Sequence, residues 1–213
     1  MVVQNTDLIE FLKKQTVQAT FLERLKINYR PLICPFRELL QLVKPEATVL
    51  DIGCGSGQFL TLVAAFTSAC KLGGLEINKN LVQQANTLVA KTRKETDIRT
   101  FDGDTFPGFL ADFDTVFLID VLHHVPASKQ KYFLQNIYDG LMPGATLILK
   151  DIDAASLWVY FNKLHDLILS QEIGHELSVR QAKNLATEIG FQVTGISEKR
   201  MFGYPHFTLI LNK

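Results

Sequence analysis

Val49-Leu50-Asp51-Ile52-Gly53-Cys54-Gly55-Ser56-Gly57-Gln58-Phe59 is the stretch on which the reading of this chain turns. The apolar run from Thr48 to Ile52 has the character of a parallel strand buried on both faces. Three glycines alternate directly after it, and from Phe59 to Ala69 an apolar pattern resumes at helical length. A strand that passes through glycines into a helix brings backbone close to a nucleotide-like ligand, because a Cβ at the turn would hold that ligand away.

The spacing narrows the ligand. Dinucleotide binders use G-x-G-x-x-G and seat a pyrophosphate on the helix N-terminus. Here the order is Gly53-x-Gly55-x-Gly57, and Gln58 stands where the third glycine of that fingerprint would be. Asp51, just ahead of the glycines, would repel a pyrophosphate and suits a cation. The Asp-x-Gly-x-Gly-x-Gly run resembles the first motif of class I S-adenosylmethionine-dependent methyltransferases. That cofactor has no phosphate, and its methionine end carries an ammonium and a sulfonium. The plain alternative is a glycine turn that holds no ligand.

With 213 residues, 47% of them hydrophobic, the chain has the material for one domain, or one with a small appendage. Twenty-two basic and 22 acidic residues cancel, so no large field favours nucleic acid or an anionic membrane. Cys34, Cys54 and Cys70 show no Cys-x-x-Cys spacing, and an odd, sparse count suits a reducing compartment. Asp7 and Glu10 interrupt any secretory pattern, and no apolar run approaches the length of a membrane-spanning helix. These features lead us to expect a cytoplasmic protein without membrane insertion or a nucleic-acid partner. Oligomeric state is not legible.

Strand-like and helix-like segments alternate along the rest of the chain, the signature of a parallel sheet covered on both faces. Strands are expected at Thr48–Ile52, Lys71–Ile77, Ile98–Phe101, Asp114–Val121, Ala145–Asp151, Phe191–Glu198 and His206–Leu211. The last two are joined by a short connection and should be antiparallel. Helices are expected at Gln58–Ala69, Asn80–Lys94, Tyr132–Leu141 and Val179–Ile189. Asn78 or Asn80 caps the second of these, and Gly190 closes the last. Two segments stand outside the alternation. Residues 1–44 read as an N-terminal helical cap broken at Pro31, Cys34 and Pro35. Residues 153–177 place Leu157, Phe161, Leu164 and Ile168 on one helical face, which either covers the sheet edge or forms a lid over a substrate.

Glu76 ends the second strand, where doubly wound folds place an acid that accepts the two hydroxyls of an adenosine ribose. This geometry serves NAD and S-adenosylmethionine equally. Asp102-Gly103-Asp104-Thr105 follows the third strand. The resemblance implies that Asp104 receives the adenine amino group and that the N–H of Thr105 meets a ring nitrogen. The bland reading of Asp104 is a turn aspartate bonding its own backbone. Ile119-Asp120-Val121-Leu122-His123-His124-Val125 resembles the Leu-His-His motif of small-molecule and lipid-ring methyltransferases. By that resemblance the Ile119 carbonyl and the region of Val121 face the cofactor's ammonium, and His124 lies near the methyl group. His123 reads as a packed, hydrogen-bonded core imidazole. Leu141-Met142-Pro143-Gly144-Ala145 matches the family's approach to its fifth strand, with Ala145 in place of the usual second glycine.

The resemblance, carried by motifs in order over residues 46–151, implies a Rossmann-like, doubly wound α/β fold with strand order 3-2-1-4-5-7-6 and strand 7 antiparallel. It implies a methyltransferase domain over 45–213. By the same resemblance S-adenosyl-L-methionine is the expected cofactor, held by Asp51, Gly53, Cys54, Gly55, Gly57, Glu76, Ile77, Asp104, Thr105, Ile119, Val121 and His124. Arg30 either pairs with the cofactor carboxylate or faces solvent on a docked helix. The acceptor is expected to be a small apolar or aromatic molecule, and no metal is expected. If the nucleophile must lose a proton, His124 is the first candidate base, ahead of Asp151, Tyr204 and His206. Two other classes stay open: an NAD(P)-linked oxidoreductase, and a non-catalytic cofactor-binding subunit.

Overall fold

The computed structural model describes residues 3–15, 29–92, 94–154, 175–202 and 204–213. The apolar face expected at Leu157, Phe161, Leu164 and Ile168 lies outside the described residues. Seven strands take the order β3-β2-β1-β4-β5-β7-β6. They are β1 (Thr48–Ile52), β2 (Lys71–Glu76), β3 (Glu95–Thr100), β4 (Thr115–Ile119), β5 (Thr146–Ile152), β6 (Gln192–Met201) and β7 (Tyr204–Asn212). This is the order the motifs imply. The chain divides into two compact units, residues 1–100 and 101–213.

In the first unit β1 pairs in parallel with β2, and β2 with β3. Val49, Leu50, Leu60, Leu62, Val63, Leu72 and Leu75 are fully buried, as parallel strands covered by helices require. The helix Asn5–Gln15 adds Leu8 and Leu12 to the core. Phe36, on the short helix Phe36–Leu40, meets Phe59 with ring centroids 5.3 Å apart. Asn78 caps the helix Lys79–Val89, its side chain accepting from the N–H groups of Asn80 and Leu81.

In the second unit β4 and β5 are parallel, while β7 runs antiparallel to both β5 and β6. The helix Val179–Ile189 starts at a capping box between Ser178 and Gln181 and stops at Gly190, whose φ is +121°. The helix Gln130–Gly140 buries Phe133, Leu134 and Ile137.

Boundaries differ from expectation for identifiable reasons. The helix from Gln58 ends at Phe66 because Thr67 turns extended, its hydroxyl donating to the Val63 carbonyl at 2.7 Å. The helix from Lys79 gives way to a tight 3-10 turn at Ala90–Thr92. β3 begins at Glu95, three positions before Ile98, since its charged residues sit on an edge strand where they meet water. The fourth strand stops at Ile119 and not at Val121, because Asp120 takes φ +55° and leaves the extended region. β6 runs on to Met201 and β7 starts at Tyr204, so the hairpin is longer than its apolar cores suggest.

Candidate functional site

In the first unit the glycine loop leaves β1 with Gly53, Gly55 and Gly57 all in the left-handed region, at φ +77°, +54° and +78°. The N–H groups of Gly53 and Cys54 donate to the Leu75 carbonyl at 2.7 and 3.0 Å, which fastens the loop to β2. Two of the glycines serve different ends. A Cβ on Gly57 would lie 3.0 Å from Ala85 Cα, Ala85 Cβ and Val89 Cγ2, so this glycine lets two helices approach. A Cβ on Gly55 would meet nothing within 4 Å. Gly55 therefore borders open space, as a backbone that receives a ligand must.

Glu76 holds this loop. Its Oε2 accepts from the Gly55 N–H and its Oε1 from the Asn78 N–H, both at 2.9 Å. Each oxygen keeps a further lone pair for another donor. Ile77, next in sequence, is 65% exposed, unusual for so large an apolar side chain.

Asp51 is the least ordinary residue of this unit. It is 3% exposed, and its Oδ1 has no hydrogen-bond partner. Burial raises its pKa to about 7; the positive charge of Arg30 counteracts this, and Glu76 adds a smaller upward push. Arg30, within a helical stretch over residues 29–33, also lies over the Phe36 ring at 5.6 Å. Burial is likewise the main cause that drives the Cys54 thiol far up, followed by the charges of Asp51 and Glu76. Cys54 stays a neutral thiol and is no nucleophile.

In the second unit, Asp102 forms the turn after β3. Its Oδ1 accepts from the N–H groups of Asp104 and Thr105 at 2.9 and 2.7 Å. These bonds, that from Thr105 foremost, hold the Asp102 carboxyl below its ordinary range. Asp104 is exposed, with one oxygen 3.6 Å from Lys129 Nζ. The self-bonding turn aspartate is thus Asp102, and Asp104 projects outward beside Thr105.

Beyond β4 the chain enters a 3-10 turn, Leu122–His124. His123 is buried, and its Nδ1 lies 2.6 Å from Asp151 Oδ1. Because a carboxylate only accepts, Nδ1 carries the proton. The His123 N–H donates to Asp151 Oδ2 at 3.1 Å, and the Ile152 N–H to Asp151 Oδ1 at 2.8 Å. His124 is exposed and stacks against His123 with ring centroids 4.0 Å apart. The buried Gln130 amide donates to the carbonyls of Leu122, Val125 and His175, tying this turn to the chain near residue 175.

The pairing of Lys150 with Asp120 escaped the sequence reading. Lys150 is fully buried on β5, and its Nζ donates to Asp120 Oδ1. The signal was available: a lysine inside the apolar run Leu147-Ile148-Leu149-Lys150 is a buried cation in search of a partner. Tyr204 and His206 sit on β7, where His206 pairs in register with Ile152. Among the described residues, no group of three or more His, Cys, Asp or Glu side chains is arranged to hold a metal ion.

A family described as a methyltransferase domain matches residues 25–195, and the chain belongs to that family. Sterol 24-C-methyltransferase of Kluyveromyces lactis is 25% identical over 158 residues, which are 71% of this chain and 42% of that protein. Carboxy-S-adenosyl-L-methionine synthase of Aliivibrio salmonicida is 26% identical over 110 residues, 51% of this chain and 46% of the other. The match thus spans less than half the length of either relative. Among solved structures, magnesium protoporphyrin IX methyltransferase from Synechocystis PCC 6803, determined with bound SAH, superposes with a TM-score of 0.71. It covers 98% of this chain and 94% of its own, at 17% identity, and shows the shared fold.

Proposed function

We propose that this chain binds S-adenosyl-L-methionine and transfers its methyl group to a small apolar or aromatic acceptor. The observation that carries the reading is Asp51: a buried carboxylate with an unsatisfied oxygen, at the head of a glycine loop that opens onto free space at Gly55. A buried acid in that state calls for a cation, and a pyrophosphate would worsen its position. The ammonium of S-adenosylmethionine fits the requirement. The apolar acceptor is supported by the sterol named in one relative and by the aromatic residues of the 153–177 segment.

On the first unit, Asp51 and the backbone of Gly53, Cys54, Gly55 and Gly57 would receive the methionine end. The remaining lone pairs of Glu76 would take the ribose hydroxyls. Ile77 would offer its exposed apolar surface, and Arg30 would balance the carboxylate. On the second unit, Asp104 and Thr105 would read the adenine edge, the Ile119 carbonyl and the region of Val121 would face the methionine ammonium, and His124 would lie nearest the methyl group. Bound S-adenosylmethionine supplies an activated methyl on sulfonium, so the protein's share is to orient, exclude water and, for a protic nucleophile, accept a proton. The exposed imidazole of His124 would be that acceptor.

Calorimetry with S-adenosylhomocysteine and with NADH tests the reading. Binding of the former alone is expected, and tight NADH binding without it would overturn the assignment. Once an acceptor is found by methyl-release screening, His124→Ala should leave cofactor affinity within about tenfold and lower turnover roughly 10²–10⁴-fold. An unchanged rate would remove His124 from the chemistry.

A further inference from the structure

Lys150 and Asp151 are consecutive on β5, so their side chains leave on opposite faces of the sheet. Both are buried, and each fastens one end of the same short turn. Lys150 Nζ donates to Asp120 Oδ1, and the Lys150 carbonyl accepts from the Asp120 N–H at 2.9 Å. Asp151 grips His123 through ring and backbone. Only Val121 and Leu122 lie between the two anchored residues.

The Lys150 anchor is an expensive way to build a core. A fully buried ammonium must recover its lost hydration from the groups around it, the Asp120 carboxylate among them, and an apolar side chain of the same volume would pack at least as well. Its partner Asp120 sits at φ +55°, a region that side-chain-bearing residues rarely adopt. Both costs meet at the carboxyl end of β4, the end at which open α/β sheets bind ligands.

We propose that Lys150 and Asp120 are positioning residues for the cofactor. Their ion pair fixes the left-handed turn, so that the Ile119 carbonyl and the Val121 backbone, the groups assigned to the methionine end, hold one arrangement before the cofactor arrives. Binding then incurs no cost for ordering this turn. The proposal rests on the cofactor reading above.

The test is S-adenosylhomocysteine affinity by calorimetry, at a temperature where circular dichroism shows each variant folded. Alanine disfavours the left-handed turn and removes the pin, so Asp120→Ala should weaken binding about tenfold or more. Lys150→Met fills the same volume without the charge and should weaken it comparably. Asparagine tolerates the left-handed region and still accepts from an ammonium, so Asp120→Asn should stay within about threefold of wild type. Equal loss in Asp120→Asn and Asp120→Ala, or no loss in Asp120→Ala and Lys150→Met, overturns the proposal. Should Asp120→Ala not fold, the contrast between Lys150→Met and Asp120→Asn carries the same prediction. If the wild-type protein itself fails to bind, it is the cofactor assignment that falls.

Discussion

At the scale of single residues, two carboxylates of the first unit behave in opposite ways. Glu76 is satisfied by two backbone N–H groups, and Asp51 is not. Removing Glu76 therefore loosens the glycine loop as well as any ligand held there. Glu76→Ala should weaken S-adenosylhomocysteine binding by about 1.5–3 kcal/mol, and Glu76→Gln by less, since one acceptor oxygen survives. Equal binding by both variants and wild type would end the ribose assignment. Asp51 makes a pH prediction. Its pKa rises from 3.8 to about 7 on folding, so the folded state holds the proton more tightly than the unfolded chain. The stability it lends is complete at low pH and is lost as pH climbs through about 7. Melting curves of wild type and Asp51→Asn should diverge in favour of Asn between about pH 4 and 7, with little further change above, by on the order of 1–4 kcal/mol. Parallel curves would mean that Asp51 is ionised throughout. A cationic ligand reverses the effect by favouring the ionised acid. Near pH 6 its binding should release a proton, visible as a calorimetric heat that changes with buffer ionisation enthalpy.

At the scale of elements, the glycine loop separates packing from access. Gly57→Ala places a methyl 3.0 Å from the helix Lys79–Val89 in addition to straining a backbone at φ +78°, and should destabilise the fold by about 2–5 kcal/mol. Gly55→Ala meets no neighbour but must hold φ +54°, so it should lose only the roughly 1–2 kcal/mol of backbone strain and lose ligand affinity. Denaturant unfolding alongside calorimetry checks both, and equal stability loss in the two variants would show that Gly55 is a packing position as well. This loop was legible because its logic is local: strand, acid, glycines and helix occupy one short run. The helix cap at Asn78 and the helix stop at Gly190 were legible for the same reason. The post-β4 turn was not. His123 and Asp151 stand 28 positions apart, and Lys150 and Asp120 stand 30 apart. Periodicity places such residues at strand ends without showing which side chain reaches which. Nor does an aspartate announce a positive φ, which is why the fourth strand ended two residues early.

At the scale of the whole molecule, the strand order β3-β2-β1-β4-β5-β7-β6 was legible only through the family that the motifs resemble, because periodicity marks where strands lie along the chain and not which strands become neighbours. If the cofactor assignment holds, saturating S-adenosylhomocysteine at about 100 times its dissociation constant should add roughly 2.7 kcal/mol to the stability of the fold. For a chain of 213 residues that is an increase in Tm of roughly 5–10 °C. NADH at the same concentration should leave Tm unchanged, and an increase with NADH alone would favour an oxidoreductase.

Lys150 also makes the molecule its own recorder of unfolding. An amine with no exposed surface is closed to acylating reagents while β5 stays paired, whereas the lysines at the surface react at once. Its modification has to wait for an opening event, so mass spectrometry of that single position over time would count how often the centre of the second unit comes apart.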